Sequence, residues 1–211
     1  MAIGSFLVND YAEYKFIMRK SFYETLIIVL IAAAVFVGLR FTIQTYIVNG
    51  PSMEPNYENN EWIIVEKIAY KFANVQRGDI IVFQPPITST KPFIKRIIGL
   101  PGETVEIQNG TVDIRKADGS IITLQEPYIK EPFSSNYTSI VIPPNEYFVM
   151  GDNRNHSIDS RYGWLVSGDK IIGKAWISIW PPKLWGLAPI YRQTSKVTGN
   201  AENWLDTRDP I

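Results

Sequence analysis

One apolar stretch near the N-terminus limits what this chain can fold into. Residues 26–39 read LIIVLIAAAVFVGL, without a charged or hydrogen-bonding side chain. A membrane-spanning helix needs about 20 mostly apolar residues. Apolar neighbours extend the stretch to that length on both sides, provided that Glu24 lies at the headgroups and Arg40 snorkels to the opposite interface. We therefore predict a transmembrane anchor over residues 21–41, with the lipid bilayer as a partner.

Two other interpretations of this stretch stay open, a cleavable signal peptide and a buried core helix. The signal peptide fits less well, because the stretch begins late and no clear small-x-small site precedes Ser52. Lys15, Arg19 and Lys20 all lie on the N-terminal side of the stretch. By the positive-inside rule, we predict that residues 1–20 are cytoplasmic and that the chain after the anchor lies on the extracytoplasmic side of a cell membrane.

Composition excludes several classes of function. The 211 residues include 21 Lys plus Arg and 21 Asp plus Glu, so the formal net charge is zero. A nucleic-acid binder would carry a basic footprint, and none is present. No cysteine is present, which excludes disulfides, thiolate metal sites and a cysteine nucleophile, and His156 is the single histidine. We predict no nucleic-acid partner, no metal and no organic cofactor.

Short apolar runs bounded by turn signals follow the anchor. They are rich in β-branched and aromatic residues, as strands are, and read EWIIVEK, DIIVFQ, FIKRIIG, TVEIQ, TVDIR, IITL, SIVI, EYFVM and KIIGKAWISIW. Asn109-Gly110 is a strong hairpin signal, and Asp118-Gly119 is a second turn of the same kind.

These runs predict a mainly β fold, an antiparallel sheet domain over residues 42–192 that follows one N-terminal transmembrane helix. The segment at about 108–137 is the richest in turns, and we interpret it as a small β-ribbon insertion. Residues 193–211 are polar and without period, which predicts a loose C-terminal tail.

A serine follows the anchor closely, in the sequence GPSMEPNY. Gly50, Pro51 and Pro55 make this segment rich in turns. A serine in such a turn can present its hydroxyl and its own backbone N–H to the same side, so Ser52 is a candidate nucleophile. The ordinary alternative is that Ser52 only caps or closes the turn.

A lysine lies inside an apolar strand pattern, in KPFIKRIIGLPG. Side chains of a strand alternate between its faces, so either face places a cation among hydrophobic residues. Burial lowers the pKa of a lysine, by up to about 3–5 units when complete. A neutral Lys95 could then accept a proton from a serine hydroxyl. The alternative is an edge strand in which Lys95 and Arg96 are both solvated.

A polar segment, GDNRNHSIDSRYG at residues 151–163, follows the apolar run EYFVM. It carries more charge and more hydroxyl groups than a turn requires. An Asp159–Arg161 pair, together with a serine able to bond an ammonium group, could support a buried lysine. The alternative is a solvated loop with local capping bonds.

Four segments resemble the conserved boxes of the type I signal peptidases. They are SMEP at 52–55, RGDIIVF at 77–83, KRIIGLPGE at 95–103 and GDNRNHSIDSRYG at 151–163. They occur in the family's order after an N-terminal transmembrane segment, and together they span nearly all of the predicted external domain.

The resemblance implies a role for each matching position. Ser52 matches the family's nucleophile and Lys95 its general base. Ser157 matches a serine whose hydroxyl bonds the lysine and orients it, and Asp159 and Arg161 match a supporting ion pair.

Other matching positions are structural or line the substrate pocket. Asp152 and Arg154 match structural positions in the polar loop, and Met53 matches a residue that helps to line the substrate pocket. Arg77 and Asp79 match a structural strand and are not expected to take part in the chemistry.

The chain departs from the family pattern at two positions. Gly50 stands where some members have a serine whose hydroxyl contributes to the oxyanion hole, which leaves the second oxyanion donor unassigned. Asn56 stands where threonine is frequent, and Glu103 is the acidic residue that ends the third box. None of these departures removes a catalytic group.

The resemblance implies a membrane-bound serine endopeptidase. Such an enzyme removes signal peptides from exported preproteins and cuts after small residues, with small side chains at positions −1 and −3. One alternative is a catalytically inactive, membrane-tethered β domain that binds exported segments. Another is a hydrolase that uses His156 with Asp152 or Asp159. The sequence does not indicate an oligomeric state.

Overall fold

The computed structural model describes residues 3–189 and 196–197, with side chains from Met18 to Pro189. The chain divides after Thr42 into two compact units. The first is one helix, α1 (Ile3–Thr42). Its segment Met18–Thr42 is long and apolar enough to cross a membrane, and its large apolar side chains are exposed, unlike those of a core helix. These properties are consistent with a single-pass membrane anchor.

The second unit is built on two antiparallel sheets, which confirms the predicted fold class. Its elements in chain order are β1 (Ile43–Ile47), β2 (Trp62–Glu66), α2 (Ala69–Phe72), β3 (Ile80–Phe83), β4 (Phe93–Gly99), β5 (Thr104–Gln108), β6 (Thr111–Arg115), β7 (Ile121–Thr123), β8 (Tyr137–Thr138), β9 (Glu146–Met150), β10 (Val166–Ser167), β11 (Ile171–Trp180), β12 (Gly186–Leu187) and β13 (Lys196–Val197). The larger sheet has the strand order β1-β2-β11-β3-β4-β9-β10, with β12 paired to β11.

The centre of the larger sheet is buried on both faces. All four residues of β3 are buried, as are the last six residues of β4. Side chains of successive residues point to opposite faces, so a strand covered on both sides reads as a continuous apolar run, such as IIVF. In the antiparallel register, Ile81 pairs with Lys95 and Ile80 with Arg96. The fold thus places two adjacent cations in its interior.

The smaller sheet has the strand order β13-β7-β6-β5-β8. Its β5–β6 hairpin turns at Asn109 and Gly110, which have φ of 49° and 82°. This is the left-handed pair that a two-residue hairpin loop requires. The sheet packs against side chains of the larger sheet, among them Ile98 and Phe148.

Two sequence-based expectations differ from the structure. The predicted strand at 139–142 (SIVI) is wrong. This segment follows β5 through Ser139 N–H to Val105 O and Ile142 N–H to Glu103 O, but its two central residues are exposed and form no ladder. In the predicted tail, the backbone of Lys196–Val197 pairs with β7, and the rest of residues 193–211 lies outside the described residues.

Candidate active site

Ser52 lies in a turn that is held at both ends. Val48 N–H donates to Glu61 O at 2.8 Å, before the turn, and Tyr57 N–H donates to Met53 O at 3.0 Å, after it. Gly50 has a φ of 90°, which favours glycine over other residues, and its N–H donates to the side-chain oxygen of Asn59 at 2.8 Å. These bonds fix the path of the chain through Ser52.

Lys95 extends from β4 to this turn. Its Nζ donates to Ser52 Oγ at 2.6 Å and to Ile94 O at 2.9 Å. Lys95 is only 3% exposed. Burial lowers the pKa of Lys95 to about 8, and the carboxylates of Asp159 and Asp152 act in the opposite direction. A larger share of Lys95 is therefore neutral near pH 7 than in an ordinary lysine.

The polar loop that begins at Gly151 closes over the Ser52 turn. Asn153 N–H donates to the Ser52 carbonyl at 3.1 Å. A Cβ on residue 151 would overlap the Ser52 carbonyl oxygen and the hydroxyl of Ser157. The two segments can approach this closely only because residue 151 is glycine.

An ion pair within the loop stabilises its shape. Arg161 donates to Asp159 from Nε at 2.8 Å and from a terminal nitrogen at 2.9 Å. The same carboxylate accepts a bond from Gly151 N–H at 3.0 Å, and Arg161 also reaches the Arg154 carbonyl at 2.7 Å. Asp159 is fully buried, and its carboxylate connects Gly151 at the start of the loop with Arg161 near its end.

Asp152 forms a second ion pair, with Arg96 of β4. The contact is bidentate at 2.8 and 2.7 Å, and both side chains are almost completely buried. The amide of Asn56 donates to the same carboxylate at 2.8 Å. Asp152 thereby joins the loop, the strand that carries Lys95 and the segment that carries Ser52.

Arg154 is paired with a residue outside the four boxes. Its terminal nitrogens donate to the carboxylate of Glu126 and its Nε donates to Gly151 O. Asp152 and Arg154, which follow each other closely in the loop, thus have separate partners on different elements.

The expected contact between Ser157 and the lysine is not formed in this structure. Ser157 is buried and lies against Gly151, but its hydroxyl has no hydrogen-bond partner among the described residues. Met53 is fully buried and packs in the core with Tyr57 and Ile63. Met53 does not line the groove beside Ser52, so its contact with substrate stays an expectation of the resemblance.

A groove of about 240 Å³ lies beside Ser52 and Lys95. It is mainly apolar, and its lining residues are Tyr46, Ile47, Val48, Asn49, Gly50, Pro51, Ser52, Ile63, Val82, Pro92, Phe93, Ile94, Lys95, His156 and Ile158. Such a groove can hold a short, mainly apolar segment of another chain beside Ser52.

His156 also lines the groove, but its contacts differ from those of a triad histidine. Its Nδ1 lies 3.2 Å from the side-chain oxygen of Asn153, in place of the carboxylate that a triad requires. Among the described residues, no group of three or more His, Asp and Glu side chains is placed to hold a metal ion.

Arg77 and Asp79, expected to be structural, have separate partners. Arg77 pairs with Glu103 at 2.6 Å, and Asp79 pairs with Lys174 at 2.6 Å. Glu103, the acidic residue that ends the third box, is thus the ion-pair partner of Arg77.

The sequence did not predict the structural roles of Asn56, of Glu126 or of Tyr128, whose ring centre lies 4.2 Å from the guanidinium carbon of Arg96. Asn56 lies beside the first box, so its position was a usable signal. Glu126 and Tyr128 lie in the small sheet's connection, and nothing in the local pattern of EPY indicates a contact with the polar loop.

Comparisons with known proteins place the chain in one family. The family model of the signal peptidases, peptidase S26, matches residues 19–180. A probable signal peptidase I-2 of Synechocystis sp. is 35% identical over 174 residues, which cover 80% of this chain and 78% of the relative. Signal peptidase IB of Staphylococcus aureus is 33% identical over 178 residues, covering 78% and 92%.

A solved structure is also similar to part of the chain. The crystal structure of a signal peptidase I from Enterococcus faecalis V583 is 34% identical with a TM-score of 0.42, covering 48% of this chain and 97% of that one. The match of the family model and the two relatives agree with the resemblance of the four boxes. The chain therefore belongs to the signal peptidase I family of serine peptidases, peptidase S26.

Proposed function

We propose that this chain removes signal peptides from exported preproteins, with Ser52 as the nucleophile and Lys95 as the general base. The observation that carries the proposal is the 2.6 Å contact between Lys95 Nζ and Ser52 Oγ at a lysine that is 3% exposed. A nucleophile and a base within hydrogen-bond reach are the signature of an activated serine. The cut follows a small residue, with small side chains at −1 and −3.

The buried environment supplies the base in its reactive form. With a pKa of about 8, about one tenth of Lys95 is neutral at pH 7, against roughly 0.03% of a lysine with a pKa of 10.5. The neutral amine takes the proton of Ser52, and the serine oxygen attacks the carbonyl carbon of the scissile peptide bond. Burial thus increases the active fraction of the enzyme by about 300-fold at pH 7.

The remaining steps follow from the same two residues. The backbone N–H of Ser52 donates to the oxyanion of the tetrahedral intermediate, and one such donor is worth about 2.7–4 kcal/mol in a comparable protease. The ammonium of Lys95 returns its proton to the leaving amine, and an acyl-enzyme forms on Ser52. Lys95 then activates a water molecule that hydrolyses the ester.

The proposed topology brings the site to its substrate. Residues 21–41 form the anchor, with residues 1–20 in the cytoplasm and the domain at 42–192 on the extracytoplasmic side of a cell membrane. Lys15, Arg19 and Lys20 support this orientation by the positive-inside rule. Only nine residues separate Thr42 from Ser52 in the chain, so the proposed nucleophile follows the anchor closely, and the cleavage site of a signal peptide emerges at the membrane surface.

The test uses the full chain in detergent and a preprotein with a small-x-small site. We would compare the wild type with Ser52→Ala and Lys95→Met, in which methionine keeps an unbranched side chain, one atom shorter than that of lysine, that cannot accept the proton. Lys91→Met is the matched control, since Lys91 is an exposed lysine four positions earlier. We expect cleavage by the wild type and the Lys91 variant, and none by the other two.

Other outcomes would refute the proposal. Cleavage by Lys95→Met at the wild-type rate would exclude the lysine base and favour His156, which His156→Ala would then test. If the wild type binds the preprotein without cutting it, the inactive β domain that tethers exported segments becomes the better description.

A further inference from the structure

One connection of the small sheet contacts residues around the candidate active site. Residues 126–133, which we call the brace, lie between β7 and β8. The brace supplies side chains to both of the buried arginines that anchor the polar loop. It lies outside all four boxes, and the reaction proposed above does not use it.

The first contact is with the loop itself. Arg154 is clamped by Glu126 in a bidentate pair whose side chains are 1% and 7% exposed. The guanidinium of Arg154 also lies 5.0 Å from the centre of the Phe133 ring. The Nε of Arg154 bonds Gly151 O at 3.1 Å, so the brace fixes the point at which the loop approaches Ser52.

The second contact is with the strand that carries the base. The ring of Tyr128 lies 4.2 Å from the guanidinium carbon of Arg96, within the range of a cation–π interaction. The Tyr128 hydroxyl donates to Glu126 at 2.6 Å. Arg96 is the neighbour of Lys95 and pairs with Asp152. Tyr128 therefore links the two ion pairs into one buried network.

This network bears on how well Lys95 is shielded from water. The loop is held against the Ser52 turn through Gly151 and Asn153, and Lys95, which bonds Ser52 Oγ, is 3% exposed. If the loop loosened, water would reach the amine, and the pKa of a hydrated lysine lies near 10.5. The contacts that keep the loop closed thus influence the chemistry without touching the substrate.

We propose that Glu126 and Tyr128 are positioning residues that hold the polar loop against the Ser52 turn and thereby keep water from Lys95. This inference rests on the proposed Ser52–Lys95 mechanism. The small sheet is then part of the catalytic apparatus.

The test compares Glu126→Gln and Tyr128→Phe with the wild type in kcat, KM and the pH dependence of kcat/KM. Glu106→Gln is the matched control. Glu106 is a carboxylate of the same small sheet that pairs with Arg115 at 2.8 Å, away from the loop. Folding of each variant is checked by circular dichroism and thermal denaturation.

For Glu126→Gln we expect kcat to fall by about 10- to 100-fold, because small displacements of catalytic groups have effects of that size. KM stays near the wild-type value, since the brace does not line the groove. The acid limb of the profile moves to higher pH by at least roughly half a unit as Lys95 is hydrated. Removing the negative charge of a carboxylate would by itself lower the pKa of Lys95 and move the acid limb to lower pH. A shift of the limb to higher pH therefore identifies hydration of Lys95. Tyr128→Phe shows the same changes, a few-fold in size.

The outcomes separate this inference from the proposed function. The role of the brace is overturned if Glu126→Gln folds and keeps the wild-type kcat and the wild-type acid limb of the kcat/KM profile. It is also overturned if that limb moves to lower pH. In both cases the Ser52–Lys95 mechanism stands. If Glu126→Gln does not fold, the same criteria apply to Tyr128→Phe. An equal effect of Glu106→Gln also overturns it, because any weakening of the small sheet would then suffice. A wild type that does not cut the preprotein refutes the proposed function itself.

Discussion

Replacing the buried lysine should reveal how much stability the fold gives up to hold it. Lys95 has a pKa of about 8 in the folded chain, against 10.5 for an ordinary lysine. Because the folded pKa lies below the unfolded one, the unfolded chain binds more protons between these values, and the stability of the wild type rises with pH across that window. The difference corresponds to about 3 kcal/mol, present as a full penalty below pH 8.

The Lys95→Met variant lacks this penalty at every pH. It also loses the two hydrogen bonds of Nζ, to Ser52 Oγ and Ile94 O, each worth about 1 kcal/mol. The loss of these hydrogen bonds is the same at every pH. Only the pH-dependent part of the stability difference between variant and wild type therefore reports on the pKa of Lys95. We expect the stability of the variant relative to the wild type to fall by about 3 kcal/mol between pH 7 and pH 10.5.

Thermal denaturation in detergent at several pH values measures this change. For a domain of this size, about 3 kcal/mol corresponds to roughly 6–12 °C in Tm. The exposed Lys91→Met variant should follow the wild type at each pH. A Tm difference between Lys95→Met and the wild type that stays constant from pH 7 to pH 10.5 would refute the reasoning, because the lysine would then be charged and hydrated in the folded chain.

Three further predictions follow from the site. For the wild type, kcat/KM measured on a fluorogenic peptide should rise about tenfold per pH unit up to a pKa near 8 for Lys95, and a profile flat from pH 6 to 9 would contradict a lysine base. Arg96→Met should destabilise the fold by about 3–5 kcal/mol in chemical denaturation, because it leaves Asp152 buried without its partner; a loss below about 1 kcal/mol would show that the pair is hydrated. Gly151→Ala should lower kcat by roughly 100-fold, since its methyl group would displace the Ser52 carbonyl, and wild-type kcat in this variant would show that the turn adjusts freely.

The sequence was most informative where a local pattern determines local structure. The β-branched runs became strands, and Asn109-Gly110 became the turn of the β5–β6 hairpin, because backbone preference and alternation act over a few residues. The run SIVI has the same preference but no strand, since its central side chains, Ile140 and Val141, are 70% and 64% exposed. Preference without burial and pairing does not make a ladder.

The candidate site divides along the same line. The surroundings of Ser52 and of Lys95 made each residue only a candidate, and the resemblance of the four boxes, in the family's order, assigned them the roles of nucleophile and base. The pairing of Arg154 with Glu126 could not be foreseen, since it joins residues 28 positions apart whose neighbours give no sign of it. Long-range ion pairs depend on which distant segments the fold brings together, and no single segment of the sequence indicates that.

The two adjacent cations of β4 impose opposite demands on substitution. At position 95 an arginine would keep its proton at any physiological pH and could not serve as a base. At position 96 a lysine would lack the planar fork with which Arg96 grips both oxygens of Asp152. An exchange that substitution tables score as conservative would therefore remove the proposed base at position 95 and the bidentate ion pair at position 96. Mutational scanning of this strand should find that neither Lys95→Arg nor Arg96→Lys is tolerated.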